Sequence, residues 1–103
     1  MTQYLESARV FMAFCDVTRL KVLEALQGGE MSVGTLLKRV DVRQSTLSYH
    51  MRVLLESGVV TARNAGKWTY YSICEVGRQH AIELLHHLTT LGKKDAAKVT
   101  SHA

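Results

Sequence analysis

The hydrophobic pattern of the chain changes near Val59, from a helical period to the pattern of β-strands. Up to that point apolar residues recur every three to four positions, whereas residues 59–63 and 67–73 are rich in β-branched and aromatic side chains. Asn64-Ala65-Gly66, between these two runs, has the composition of a turn. The sequence therefore predicts helices followed by a β-hairpin, and from about Glu75 the helical period resumes.

Two helices are predicted in the first part of the chain. The first spans residues 3–14 and is apolar around most of its circumference, so it needs cover on more than one side. Asp16 is a suitable N-cap for the second, because a carboxylate accepts hydrogen bonds from free N–H groups of a first turn. Gly28-Gly29 would end that helix.

Two further helices are predicted before the hairpin. Ser32 is placed to cap a short third helix that runs to about Arg39. A turn then leads into a fourth helix from about Gln44 to Glu56, which Gly58 closes. The predicted fold is mainly α with a small β-hairpin.

Positive charge is concentrated in the middle of the chain. Residues 37–70 hold six Lys and Arg residues against Asp41 and Glu56, which accounts for the whole formal net charge of +4. A local excess of this sign favours an anionic partner, and double-stranded DNA is the one we expect.

The fourth helix has two different sides. At about 100° per residue, its apolar side carries Leu47, Met51, Leu54 and Leu55, and its polar side carries Ser45, Ser48, Tyr49 and Arg52. Hydroxyl groups and arginine reach base edges and phosphates in a major groove. An ordinary amphipathic surface helix is the alternative interpretation.

The hairpin is predicted to add a second contact surface, because Arg63 and Lys67 flank its tip. A solvated hairpin rim is the alternative interpretation of these two residues. Trp68, Tyr70 and Tyr71 are expected to pack the hairpin rather than stack on bases. Together, the expected DNA-contacting residues are Arg43, Gln44, Ser45, Thr46, Ser48, Tyr49, His50, Arg52, Arg63 and Lys67.

Five segments resemble the ArsR/SmtB repressors: 14–23, 29–33, 44–51, 57–60 and 66–72, within a likeness that extends from about Tyr4 to Leu91. The motifs D-x-T-R-L and Q-S-T-x-S-x-H, in this order and spacing, are together quite specific. The resemblance implies a winged helix-turn-helix repressor with about five helices and a two-stranded wing. It also implies a homodimer, formed through the first and last helices, that leaves a near-palindromic operator when an inducer binds.

Two positions depart from the family pattern. Metal-sensing members carry two thiols where this chain has Ser32 and Gly34, so their arsenic or cadmium site is absent. The serine that usually caps the recognition helix is Arg43 here, which places a cation near the phosphates instead of a cap.

Two other places are candidates for an inducer site. One is a spacing on the last helix that suits zinc or nickel, formed by His80, Glu83 and His87. These residues do not fall at the positions of the zinc ligands in the family. The favoured interpretation is that the histidines form the polar border of a dimer helix. Cys15 and Cys74 are candidates for redox or thiol chemistry. They could come near each other if the first and last helices pack together, as the resemblance implies; free buried cysteines are the alternative. No obligatory cofactor is indicated.

The chain of 103 residues is expected to form one domain, 1–92, followed by a flexible polar tail, 93–103. It shows no basic leader and no run of about 18 apolar residues, so we expect a cytoplasmic protein without a membrane partner. An enzyme would have to use Cys15 with a histidine, or His80 with Glu83, and neither pair has motif support. We therefore expect no catalysis; a relative that keeps the fold but binds a protein partner is the remaining alternative.

Overall fold

A computed structural model describes residues 2–92 of the chain. They form the elements α1 (Thr2–Met12), α2 (Val17–Leu26), β1 (Met31–Ser32), α3 (Val33–Val40), α4 (Gln44–Ser57), β2 (Val60–Ala65), β3 (Trp68–Ile73) and α5 (Glu75–Thr89). The expected five helices and hairpin are confirmed. The expected tail, 93–103, lies outside the described residues.

Capping residues set the bounds of the helices. Asp16 Oδ2 accepts hydrogen bonds from the backbone N–H groups of Thr18 at 2.8 Å and Arg19 at 3.2 Å, which starts α2. Ser32 Oγ accepts from the N–H of Thr35 at 3.3 Å and starts α3 in the same way. Gly58 ends α4 with a φ of 82°, a conformation that glycine adopts without strain.

The hairpin turn begins at Gly66, two residues later than the start of the predicted turn. Pairing runs from Val60 with Ile73 to Ala65 with Trp68, so the turn consists of Gly66 and Lys67. The predicted turn at Asn64-Ala65-Gly66 is wrong, because Asn64 and Ala65 belong to β2. Gly66 has a φ of 62°, which a two-residue hairpin turn requires at its first central position.

A third strand joins the hairpin. β1 pairs antiparallel with β3, and the sheet order is β1-β3-β2. The two-stranded wing is therefore continuous with the segment that starts α3. Two residues are too few to show a strand period, so this strand was not predicted.

The hydrophobic core anchors one side of α4. Its largest fully buried side chains are Val22 of α2, Leu36 of α3, and Leu47 and Leu54 of α4. Leu55, expected on this side of α4, is exposed. It lies about 80° from Leu47 around the helix, whereas Leu54 lies within about 20° of it.

α1 and α5 leave apolar side chains in solvent. On α5, Ala81 is buried and Leu84 packs half-buried against the core. Leu91, expected on the same helical stripe, lies beyond the end of α5 at Thr89. The exposed apolar side chains of the two helices are Tyr4, Leu5, Met12, Val76, Ile82, Leu85 and Leu88.

The start of α5 contacts the end of α4 through the main chain. A Cβ atom on Gly77 would lie 1.7 Å from the carbonyl oxygen of Gly58, so a larger residue requires the backbone to move. The N–H of Cys74 donates to the carbonyl of Val59 at 2.8 Å beside this crossing. The placement of α5 on α4 is therefore fixed by backbone contacts.

Within residues 2–92, the helices are too short or too polar to cross a membrane.

Candidate nucleic-acid interface

The polar side of α4 faces solvent. Because Leu47 and Leu54 are buried on the opposite side, the side chains expected to contact DNA are held outward. The helix has 14 residues and is therefore about 21 Å long, and a major groove about 12 Å wide admits an α-helix. Its exposed polar residues are Gln44, Ser45, Thr46, Ser48, Tyr49 and Arg52.

Arg43 occupies the N-cap position of α4 without acting as a cap. Its side chain makes no hydrogen bond to the first-turn N–H groups, and the residue is exposed. The exposed guanidinium and the uncapped N–H groups lie at the same end of the helix. Both favour an anion, in keeping with a phosphate near this end.

His50 does not belong to the DNA-contacting surface. It is 8 % exposed, and its Nδ1 lies 2.9 Å from Arg19 Nη1. The expectation that His50 contacts DNA is therefore wrong. It lies about 60° from Leu47 around the helix, on the apolar side, so its helical angle is a signal that identifies it as buried.

Arg19 is the centre of a buried polar cluster that sequence reasoning missed. It is 5 % exposed; its Nε donates to the Met12 carbonyl at 2.8 Å, and its Nη2 lies 3.8 Å from Cys15 Sγ. Asp16 Oδ2 lies 3.7 Å from His50 Nδ1, next to the Arg19 contact. The cluster joins the end of α1, the start of α2 and the middle of α4. Because Arg19 and His50 are 31 residues apart, no local pattern reveals it.

Asp16 carries a negative charge at the edge of this cluster. Burial acts to raise its pKa, but the hydrogen bonds from the backbone of Arg19 and Thr18 outweigh burial, and the net pKa is lowered. The carboxylate is therefore ionised at neutral pH, where it caps α2.

Arg63 on β2 is bound by a carboxylate of the same chain. Its Nη2 donates to Glu30 Oε1 at 2.6 Å and its Nε to Oε2 at 3.2 Å. Its Cζ atom also lies 4.8 Å from the ring centre of Tyr70. The hydrogen bond with Glu30 raises the pKa of Arg63 and lowers that of Glu30. Arg63 therefore contacts a phosphate only in competition with Glu30.

Lys67 and Trp68 stand together at the wing tip. Lys67 is exposed, and its Nζ lies 5.9 Å from the ring centre of Trp68. Trp68 is itself 58 % exposed, so the expectation that it packs the hairpin is wrong. Tyr70 and Tyr71 are half-buried, as expected of packing residues.

The candidate thiols lie at two helix junctions. Cys15 is exposed between α1 and α2, and it lines an apolar groove of 530 Å³ with Phe11, Leu23 and Leu85 among others. Cys74 is half-buried at the N-cap position of α5. Both are free thiols.

The candidate metal ligands of α5 are not gathered into a site. Across residues 2–92, no group of three or more His, Cys, Asp or Glu side chains has a geometry that could hold a metal ion. His80 and Glu83 line one shallow depression with Glu75 and Gln79, and His87 is not part of it.

Comparison with known proteins identifies a matching domain and relatives along most of the chain. The family description of a helix-turn-helix domain matches residues 16–63, which extend from the N-cap of α2 into β2. An uncharacterized HTH-type transcriptional regulator of Methanocaldococcus jannaschii is 35% identical over 89 residues, which cover 85% of this chain and 100% of that protein. The arsenical resistance operon repressor of Bacillus subtilis is 38% identical over 64 residues, 61% of each chain.

Solved structures agree with this result. HlyU from Vibrio cholerae has a TM-score of 0.66 at 30% identity, over 86% of this chain and 97% of that chain. An ArsR-like transcriptional regulator from a Rhodococcus species has a TM-score of 0.80 at 23% identity, over 100% of this chain and 97% of that chain, which supports the fold alone.

Proposed function

The chain belongs to the ArsR/SmtB family of helix-turn-helix transcriptional regulators, and we propose that it represses transcription as a homodimer that places two α4 helices in one operator. The observation that carries this proposal is the outward polar side of α4, opposite the buried Leu47 and Leu54 and beside a basic wing. Such a protein acts on chromosomal DNA, so we place it in the cytoplasm, and its role requires no catalysis.

The exposed apolar surface of α1 and α5 supports the homodimer. Leu5 of α1 and Ile82, Leu85 and Leu88 of α5 would each be left in water in a monomer. A two-fold axis through these helices would present two copies of α4, which match half-sites about one helical turn, 34 Å, apart.

Different side chains of α4 and the wing would contact the bases and the phosphates of the DNA. Gln44, Ser45 and Ser48 are suited to base edges, with Thr46 and Tyr49 as neighbours in the groove. The cations Arg43, Arg52 and Lys67 are suited to phosphates, and Arg63 joins them when it leaves Glu30.

For release from the operator we propose a thiol-directed agent that acts at Cys15, with Cys74 as the second thiol. Cys15 is exposed, and its Sγ lies 3.8 Å from the guanidinium that also contacts α4. A zinc or nickel ion bound by His80, Glu83 and His87 would need ligands from a second chain, because residues 2–92 of one chain offer no three-ligand cluster.

The test is selection of duplexes from a random-sequence library by the wild-type protein, followed by affinity measurements on a selected duplex and a scrambled one. Gln44→Ala and Ser48→Ala should reduce discrimination between the two duplexes by about 1–3 kcal/mol where a base contact is lost. Lys67→Ala should weaken both complexes and lower the salt slope by about 0.9.

Arg9→Ala is the control for charge, because it removes one exposed cation from α1, outside α4 and the wing. It should leave both the discrimination between the two duplexes and the salt slope unchanged. If selection enriches no sequence, the operator-binding proposal is wrong and the protein-binding alternative takes its place.

A further inference from the structure

We propose that Arg19 is a positioning residue for operator binding, which holds α4 through the unprotonated Nδ1 of His50, so that protonation of His50 weakens the operator complex. Arg19 and His50 are 5 % and 8 % exposed, so neither side chain is available as a DNA contact. The inference rests on the proposed role of α4 as the helix that contacts DNA.

The direction of the Arg19–His50 hydrogen bond follows from the chemistry of the two groups. A guanidinium has five N–H donors and no acceptor. At 2.9 Å from Arg19 Nη1, Nδ1 of His50 must therefore accept, and the proton of the neutral ring must be on Nε2. An imidazolium would place an N–H donor against another N–H donor at this distance.

A protonated His50 has an alternative hydrogen-bond partner nearby. Asp16 Oδ2 lies 3.7 Å from His50 Nδ1, too far for a good hydrogen bond but near enough to attract an imidazolium. A ring that turned towards Asp16 would leave Arg19 Nη1 without its acceptor. An unsatisfied donor on a buried cation is unfavourable, so either Arg19 or α4 has to move.

The charged and titratable groups around His50 are few. Asp16 and Arg19 face the ring from the start of α2, and Tyr49 of α4 itself presents its ring at 5.1 Å between centres. The Met12 carbonyl at the end of α1 accepts a hydrogen bond from Arg19 and not from His50. Cys15 Sγ likewise contacts Arg19 and not His50. The ion pairs and hydrogen bonds of residues 2–92 bring no other charged side chain to this ring.

The cluster reaches the DNA-contacting surface through the helix itself. His50 lies on the inner side of α4, between the buried Leu47 and Leu54 and across the helix from Ser48 and Arg52. A shift of His50 relative to Arg19 therefore changes the orientation of the polar side. The polar side carries the side chains suited to base edges, so a changed orientation weakens the complex with a selected duplex.

The sign of the pH effect on DNA affinity distinguishes the Arg19–His50 contact from a general effect of charge. His80, His86 and His87 are exposed, and their protonation adds positive charge that strengthens binding to any DNA. The Arg19–His50 contact predicts the opposite result, weaker binding in acid, for a selected operator duplex.

The experiment measures the affinity of the wild-type protein for a selected duplex at about pH 8 and about pH 5, the range in which histidines titrate. We expect binding about tenfold weaker at the lower pH, from the loss of one hydrogen bond to a charged group. In His50→Asn, the amide oxygen can accept from Arg19 without titrating, so its affinity should not fall. His86→Asn, an exposed position on α5, should keep the wild-type decrease.

Wild-type binding that is equal or tighter in acid overturns the inference, and so does an equal loss in His50→Asn. If His50→Asn does not fold, the NMR spectrum of the ¹⁵N-labelled wild-type imidazoles decides. At about pH 8, the His50 ring should carry its proton on Nε2, and a proton on Nδ1 contradicts the inference. If instead the wild type selects no duplex at this pH, the proposed function has failed, and the NMR result still tests the contact.

Discussion

Arg63 Nη2 donates to Glu30 Oε1 at 2.6 Å, which joins the wing to a carboxylate 33 residues earlier in the chain. Glu30 precedes β1 and Arg63 lies on β2, so the pair spans the central strand β3, where the Tyr70 ring lies beneath the guanidinium. A cation that is already paired is a weaker phosphate contact than a free one. The affinity of the wing for DNA therefore depends on Glu30.

Glu30→Gln should increase the affinity for random DNA. The substitution removes a negative charge and leaves Arg63 only a neutral amide acceptor, so the salt slope should become steeper by up to about 0.9. Glu24→Gln is the matched control, because it makes the same change of charge on exposed α2 surface. Titrations of both variants at several salt concentrations measure the effect. An equal change in the two variants would mean that Arg63 stays away from the phosphates even when it is free.

The same pair predicts a pH dependence of stability. The hydrogen bond from Arg63 lowers the pKa of Glu30 from its ordinary value of 4.5. The stabilisation is therefore complete above that ordinary value and is lost as the pH falls through the lowered pKa. The difference in free energy of unfolding between wild type and Glu30→Gln should be constant near neutral pH and shrink in acid. A difference that grows towards acid would contradict the pairing.

Leu85→Asp should give a monomer. Leu85 is exposed on α5 and borders the apolar groove, and the burial of a leucine contributes about 1.5–3 kcal/mol in each chain. Sedimentation equilibrium at micromolar concentrations should show the monomer, with weak operator binding. Val76→Asp, about 180° away on the same helix, should remain dimeric. A monomeric wild type would remove the dimer from the proposed function.

Alkylation of Cys15 should weaken operator binding. An adduct on Sγ, which lies 3.8 Å from Arg19 Nη2, would crowd the guanidinium that contacts His50. For a coupling of ordinary size, affinity should fall about 5- to 150-fold in the wild type and in Cys74→Ser, and not in Cys15→Ser. Affinity measured before and after treatment with N-ethylmaleimide tests this. Loss of binding in treated Cys15→Ser would shift the proposed thiol site to Cys74.

Gly77→Ala should destabilise the fold. The new Cβ would meet the Gly58 carbonyl oxygen at 1.7 Å, and overpacking of this kind costs about 1–3 kcal/mol. Gly34→Ala is the control with the opposite sign. Its Cβ would meet only Ser32 Oγ, at 3.9 Å, and alanine stabilises a helix by about 0.4–1 kcal/mol. Urea denaturation of both variants measures the two changes, and a neutral Gly77→Ala would show that α5 is free to move on α4.

Local signals were enough to predict the helices and their caps, because Asp16, Ser32 and Gly58 act on backbone groups within a few residues of themselves. The contacts of Arg19 with His50 and of Glu30 with Arg63 join residues 31 and 33 positions apart, so they exist only once the helices and the sheet have packed. For the same reason β1 could not be predicted, since its pairing with β3 is defined by the partner strand.

The exposed Trp68 is the single tryptophan of the chain, so the protein's indole fluorescence originates at the wing tip. An indole in water emits at longer wavelength than one covered by a partner, and stacking on a base quenches it. The emission spectrum is therefore a built-in optical reporter of whether the wing is seated on DNA. Followed over time, the emission would distinguish docking of the wing from insertion of α4 into the groove, without any label.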